Sequence, residues 1–134
     1  MPRTNYAASA RRIAEAMLPP EVLAHTLRVV ARSGGDIVVA YLHDVVEDSR
    51  TTIQDLRDFG FNEATVEAVE VLTRDPLVTY AEYIERVRHY GGAARAVKIA
   101  DLEDHLAEVD TLKPSLKGRY DRALAALRTA EGGR

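Results

Sequence analysis

The chain has 134 residues, 46% of hydrophobic types and 29% charged, which fits one globular domain and excludes a disordered or collagen-like chain. Eighteen Lys and Arg against 21 Asp and Glu leave a net charge of −3, which argues against a surface that coats DNA or RNA. Cysteine and tryptophan are both absent, so disulfides, zinc fingers and thiolate iron–sulfur sites are excluded, and any metal must be held by nitrogen and oxygen ligands.

The first twenty residues carry Arg3, Arg11, Arg12 and Glu15 and hold no apolar run of the kind a signal peptide needs. No stretch is apolar for long enough to span a bilayer. A cytoplasmic protein with a single domain over 1–134 is the expectation. Helical periodicity dominates and the breaks fall at regular intervals. With Thr4 as N-cap, a first amphipathic helix runs from about Asn5 to Met17. Pro19-Pro20 ends it and opens a second to Arg32, closed by Ser33-Gly34-Gly35. Asp36 caps a third from Ile37 to about Glu47. Thr51 or Thr52 starts a short helix that stops at Gly60, and Asn62 begins another through Leu72, before the Asp75-Pro76 break. Thr79 leads a helix to His89, and Gly91-Gly92 turns the chain into the longest helix, Ala93 to Val109. Pro114 opens the last, which frays at Glu131-Gly132-Gly133. No strand is predicted. The fold class expected is all-α, a compact bundle of about seven to eight helices.

Residues 43–48 read HDVVED. On a helical wheel Asp44, Glu47 and Asp48 lie about 100°, 40° and 140° round from His43, so all four polar side chains share one arc. Ile37, Ala40 and Tyr41 occupy that arc earlier in the helix, so the face is apolar until its final turns and then densely ionisable. A solvated face should stay polar along its length, and this pattern fits a buried helix whose end opens into a cleft. Three carboxylates at a helix C-terminus also oppose the macrodipole, at roughly 0.3–1 kcal/mol each, and a bound cation would offset that cost. Spacing alone fits a solvated final turn equally well.

Two other positions supply matching chemistry. His25 lies beside the apolar stripe of Val22 and Val29, where a hydrogen-bonded core histidine is the simpler reading. Asp101 is flanked by Ile99, Ala100 and Leu102, and Lys98 and His105 share its face, so a surface Lys–Asp pair explains it as well. Taken together, His25, His43, Asp44 and Asp101 offer two imidazoles and two carboxylates from three helices. Such a mixed set suits Mn2+, with Fe2+, Zn2+ or Mg2+ as the other candidates.

The order H…HD…D on an all-α chain resembles the HD-domain metal-dependent phosphohydrolases. The likeness is carried by AHTLRVV around His25, AYLHDVVEDS at 40–49, VLTRDPLVTYAEYIERV at 71–87 and VKIADLEDH at 97–105, and it spans roughly residues 20–128. It implies an HD-type helical bundle, a divalent metal on His25, His43, Asp44 and Asp101, and hydrolysis of a small phosphorylated substrate such as a nucleotide. HDVVED followed by Thr51-Thr52 is most similar to the hydrolase domain of stringent-response alarmone enzymes, which remove the 3′-pyrophosphate of (p)ppGpp using Mn2+. That resemblance makes Glu47 and Asp48 the catalytic pair that handles the attacking water. By analogy with small HD proteins it also implies a homodimer.

Two features depart from the alarmone pattern. The basic segment that helps hold the guanine nucleotide ahead of the first histidine is replaced by MLPPEVLA, and His105 stands where small HD hydrolases usually carry Asn. The leading reading is therefore a metal-dependent phosphohydrolase with a metal-activated water. A small (p)ppGpp 3′-pyrophosphohydrolase is the second reading, and a catalytically silent nucleotide-binding regulatory module the third. Arg28, Lys98 and His105 are the candidates to bind the phosphorylated substrate, with membership of a structural ion pair an equal alternative for Arg28 and Lys98. Arg74 and Tyr80, near the Asp75-Pro76 break, could line the rim of the site but are read chiefly as loop packing, His89 as surface, and Lys117, Arg119 and Arg122 as a solvated face.

Overall fold

The computed structural model describes residues 5–34, 36–108 and 112–132. Its helices are Tyr6–Met17 (α1), Pro20–Ser33 (α2), Ile37–Leu42 (α3), Val45–Asp48 (α4), Ile53–Asp58 (α5), Glu63–Leu72 (α6), Tyr80–Tyr90 (α7), Gly92–Ala107 (α8) and Pro114–Gly132 (α9). Among the described residues there is no strand, and the all-α expectation holds.

Most boundaries follow from local chemistry. Asp36, Thr52, Asn62 and Thr79 each cap a helix by accepting from a backbone N–H three residues on, and Thr52 and Thr79 complete capping boxes with Asp55 and Glu82. Thr4 lies outside the described residues; the cap of α1 is Asn5, whose side chain accepts from Ala8 N at 3.0 Å. Gly34, at φ 59°, closes α2 in the left-handed conformation that only glycine adopts freely, while its neighbour Gly35 lies outside the described residues. Two expected spans change. Helix α8 ends at Ala107, with Val109 outside the described residues, and α9 is the longest helix at 19 residues, continuing through Gly132 where fraying was expected; Gly133 also lies outside the described residues.

The main correction is the third helix, which does not continue to Glu47. It stops at Leu42, turns through His43-Asp44 and restarts as α4. His43 Nδ1 lies 2.6 Å from Ala40 O, so the ring N–H takes the carbonyl that a continuous helix would offer to the amide of Asp44. The chain therefore breaks at the HD pair itself. The break puts Asp44 at the start of α4, while Glu47 and Asp48 still end a helix, now of a single turn.

Helix α8 is the hub. It packs against α2, α3, α6, α7 and α9, while α1 covers the other side of α3. The apolar core runs through Val29, Val39, Leu42, Val45, Leu56, Val66, Val69, Val87, Val97, Leu102 and Leu127, all fully buried. Leu42 thus anchors the residue before the break while packing among the other helices. Leu42→Ala should cost about 2–5 kcal/mol, because the surrounding helices cannot collapse into the space. Leu77, 92% exposed between α6 and α7, should tolerate alanine within about 0.5 kcal/mol. Urea unfolding of both variants checks the contrast.

Candidate metal centre and active-site cleft

His25 from α2, His43 and Asp44 from the break, and Asp101 from α8 each offer one ligand atom, and these atoms lie within 4.8 Å of one another. His25 Nε2 is 2.7 Å from Asp101 Oδ1 and 3.8 Å from Asp44 Oδ2. His43 Nε2 is 3.1 Å from Asp44 Oδ2 and 3.6 Å from Asp101 Oδ1. Three of the four residues are buried.

The donor chemistry fits a divalent ion. A carbonyl only accepts, so the contact with Ala40 O fixes the proton of His43 on Nδ1 and leaves Nε2 for the cluster. That Nε2 is buried and lacks a properly aligned hydrogen-bond partner, as a ligand nitrogen would be. Two imidazoles and two carboxylates suit Mn2+, Fe2+ or Zn2+.

Electrostatics around the cluster show what such an ion would relieve. Burial opposes charging of His43, yet Asp44 and Asp101 outweigh it and push its pKa up to about 10. His25 is raised likewise: burial opposes the shift, and Asp101 and Asp104 overcome it. Despite its burial, Asp101 is held well below the usual carboxylate range by Lys98 and the imidazoles around it. Lys98 Nζ donates to Asp101 Oδ2 at 2.7 Å and lies over the Tyr83 ring.

The cluster opens into a cleft of about 410 Å³. Glu47 and Asp48, on α4, face it. Partial desolvation at the cleft raises both from their ordinary values, with Asp44 adding to the shift in each. Glu47 Oε1 also accepts from the backbone N–H of Arg74 at 2.7 Å, which ties it to the loop between α6 and α7. His105 stacks between His25 and Tyr120, at ring separations of 4.4 and 5.3 Å, with its Nε2 3.4 Å from Asp101 Oδ1. Of the three residues expected to bind substrate, Lys98 and His105 line the cleft.

Arg28 does not line it. Its Nε donates to both oxygens of Asp104, at 2.9 and 3.0 Å, on the far side of His25. Arg74, Tyr80 and Arg119 also line the cleft: Arg74 does so while bonding Val78 O within its own loop, and Arg119 is solvent-exposed, as expected, but stands at the cleft wall. The Tyr80 ring lies under both guanidiniums, 4.6 Å from Arg119 and 5.4 Å from Arg74. Lys117 does sit on a solvated face, paired with Asp121, and His89 is exposed. Sequence reasoning also passed over Asp104, which is almost fully buried and lies 2.7 Å from His25 Nδ1. Its position three residues after Asp101 puts the two carboxylates on one face of α8.

No family model matches the chain, and no curated protein sequence matches it. Among solved structures it is similar to a metazoan orthologue of SpoT, described as hydrolysing ppGpp and playing a role in starvation responses. The superposition has a TM-score of 0.73 at 18% identity and covers 97% of this chain and 87% of that one. The two share an all-α fold.

The raised pKa of His43 has a consequence for the metal-free protein. A group that gains proton affinity on folding stabilises fully below its unfolded value, near 6.5, and that contribution is lost as pH rises toward about 10. The Tm of chelator-treated protein should fall across that window, and a divalent ion should cancel much of the fall by replacing the proton. NMR of the His43 ring nitrogens checks this directly, since the proton should persist at neutral pH and leave on addition of Zn2+. A His43 ring already neutral at pH 7 in the metal-free protein would contradict it.

Proposed function

We propose that the protein is a metal-dependent phosphohydrolase acting on a nucleotide or similar small phosphate ester or pyrophosphate. The observation that carries this reading is the convergence of His25, His43, Asp44 and Asp101 at the floor of a cleft that also holds an acidic pair and a cationic wall. The shared fold with a protein that hydrolyses ppGpp supports it, as does the resemblance of HDVVED and VKIAD to HD-domain hydrolases.

His25, His43, Asp44 and Asp101 would hold the ion, with Mn2+ the proposed native metal. When bound, such an ion polarises a phosphoryl oxygen and makes water more acidic. Glu47 and Asp48 take the proton as the water oxygen attacks phosphorus and the bond to the leaving oxygen breaks. Their upward shifts bring them nearer to neutrality, where a general base works best. Lys98, Arg74 and Arg119 stabilise negative charge on the phosphoryl group, and His105 orients it from the α8 side. Arg28 takes no part in this scheme. We place the enzyme in the cytoplasm, acting on a diffusible substrate, and infer a homodimer by analogy with small HD proteins alone.

A (p)ppGpp 3′-pyrophosphohydrolase is the second reading, favoured by the fold comparison and by HDVVED; the absent basic segment before His25 means that guanine would be held by other residues. A silent nucleotide-binding module is the third. Phosphate release from a nucleotide panel that includes ppGpp, with and without Mn2+, separates the three. Wild type should show metal-dependent turnover, and Asp44→Ala should lose both metal and activity. Glu47→Gln should keep the metal while turnover falls by roughly 10²–10⁴-fold. Arg119→Ala should act mainly through a raised KM. Nucleotide binding without turnover on any panel member would sink the enzyme reading in favour of the module, and full activity in Glu47→Gln would remove the base role.

A further inference from the structure

We propose that Asp104 is a positioning residue that sets the tautomer and orientation of His25, and that Arg28 and Arg32 exist to hold Asp104 in that role. The proposal rests on the reading of His25, His43, Asp44 and Asp101 as a metal site. A neutral imidazole has two tautomers, and only the one with its proton on Nδ1 presents the Nε2 lone pair to a metal at Asp101 and Asp44. His43 obtains this from a backbone carbonyl. His25 has Asp104 instead: Nδ1 donates to Asp104 Oδ2 at 2.7 Å, inside a buried contact.

An ionised carboxylate accepts that bond most strongly, and Asp104 is among the most buried acidic groups of the described residues. Its charge is matched by two guanidiniums. Arg28 Nε reaches both carboxylate oxygens, and Arg32 Nε lies 3.3 Å from Oδ1. Both arginines lie on α2, three and seven residues after His25, so one face of that helix carries the ligand and the two groups that charge its partner. On α8 the spacing is mirrored, with Asp101 meeting His25 Nε2 and Asp104 meeting Nδ1. The imidazole is gripped at both nitrogens by carboxylates one turn apart on a single helix, so the register of α2 against α8 aims the ligand. An ordinary Arg–Asp pair between helices would need no imidazole contact. Such an outer partner also makes the ligand nitrogen a stronger donor.

The test measures Mn2+ affinity by titration calorimetry on the full chain, together with the ring-nitrogen NMR spectrum of His25 in metal-free protein at alkaline pH. Asp104→Asn should weaken Mn2+ binding about 10–100-fold and shift His25 toward the other tautomer, with unfolding cooperativity retained. Asp104→Glu should recover part of the affinity, and Glu103→Gln, which loses only a pair with Arg128, should bind as wild type. Mn2+ affinity within threefold of wild type in folded Asp104→Asn, with His25 unchanged, would overturn the proposal. If Asp104→Asn does not fold, the double variant Arg28→Gln, Arg32→Gln takes its place: weaker binding supports the proposal and unchanged binding overturns it. If wild type binds no divalent ion, the metal-site reading fails separately, and the His25 tautomer in the same variants still decides whether Asp104 sets it.

Discussion

The cleft depends on the placement of one charge. Asp101 sits on the hub helix α8 with 4% of its surface exposed, and an ion so deep costs several kcal/mol unless its neighbours compensate it. Lys98 does so on one oxygen, and His25, His43 and His105 crowd the other. Asp44 adds a second carboxylate within the same few ångströms. With the imidazoles protonated, two protons balance the pair of carboxylates. A divalent ion carries the same charge, so exchange of two protons for one metal leaves the buried charge balance unchanged. The upward shifts of His25 and His43 express this equivalence: both rings are held ready to carry whatever positive charge the carboxylates require.

Much of this was legible in the sequence where the determinants are local. Asp36, Thr52, Asn62 and Thr79 announce helix starts because each cap is a bond between residues three apart. The wheel also grouped His43, Asp44, Glu47 and Asp48 correctly, since the turn at 43–44 stays close to helical backbone angles. The break itself was not legible. The apolar pattern of 37–46 runs straight through it, and its cause is a side-chain bond from His43 to Ala40 that periodicity does not encode.

What the sequence hid is long-range. The partner of Arg28 is Asp104, 76 positions away, so its i, i+3 relation to His25 could not decide between a substrate contact and the ionic support that the structure has. Arg119 is exposed as its sequence context suggested, but its place over the Tyr80 ring of α7, at the cleft wall, depends on a residue distant in the chain. The shared face of Lys98, Asp101 and His105 was legible for the opposite reason, because neighbours on one helix need no tertiary knowledge. The four presumed ligands were assembled through resemblance, because composition and spacing alone left each of them with an ordinary structural explanation.

Net charge proves a poor guide to what this cleft admits. The chain is only slightly acidic, but Glu21, Asp44, Glu47, Asp48 and Asp101 all line the cleft, against Arg74, Lys98 and Arg119. Five carboxylates face three permanent cations there, an excess of two negative charges in a confined space where fields are weakly screened. With the imidazoles of His25 and His43 protonated, two positive charges offset that excess, and a divalent ion that displaces the two protons leaves the total as it was. The metal therefore does not change how much charge the cleft holds. It gathers two charges at one point among the four ligand atoms, where a phosphoryl oxygen can meet both at once, while the arginine and lysine wall faces the substrate in either state.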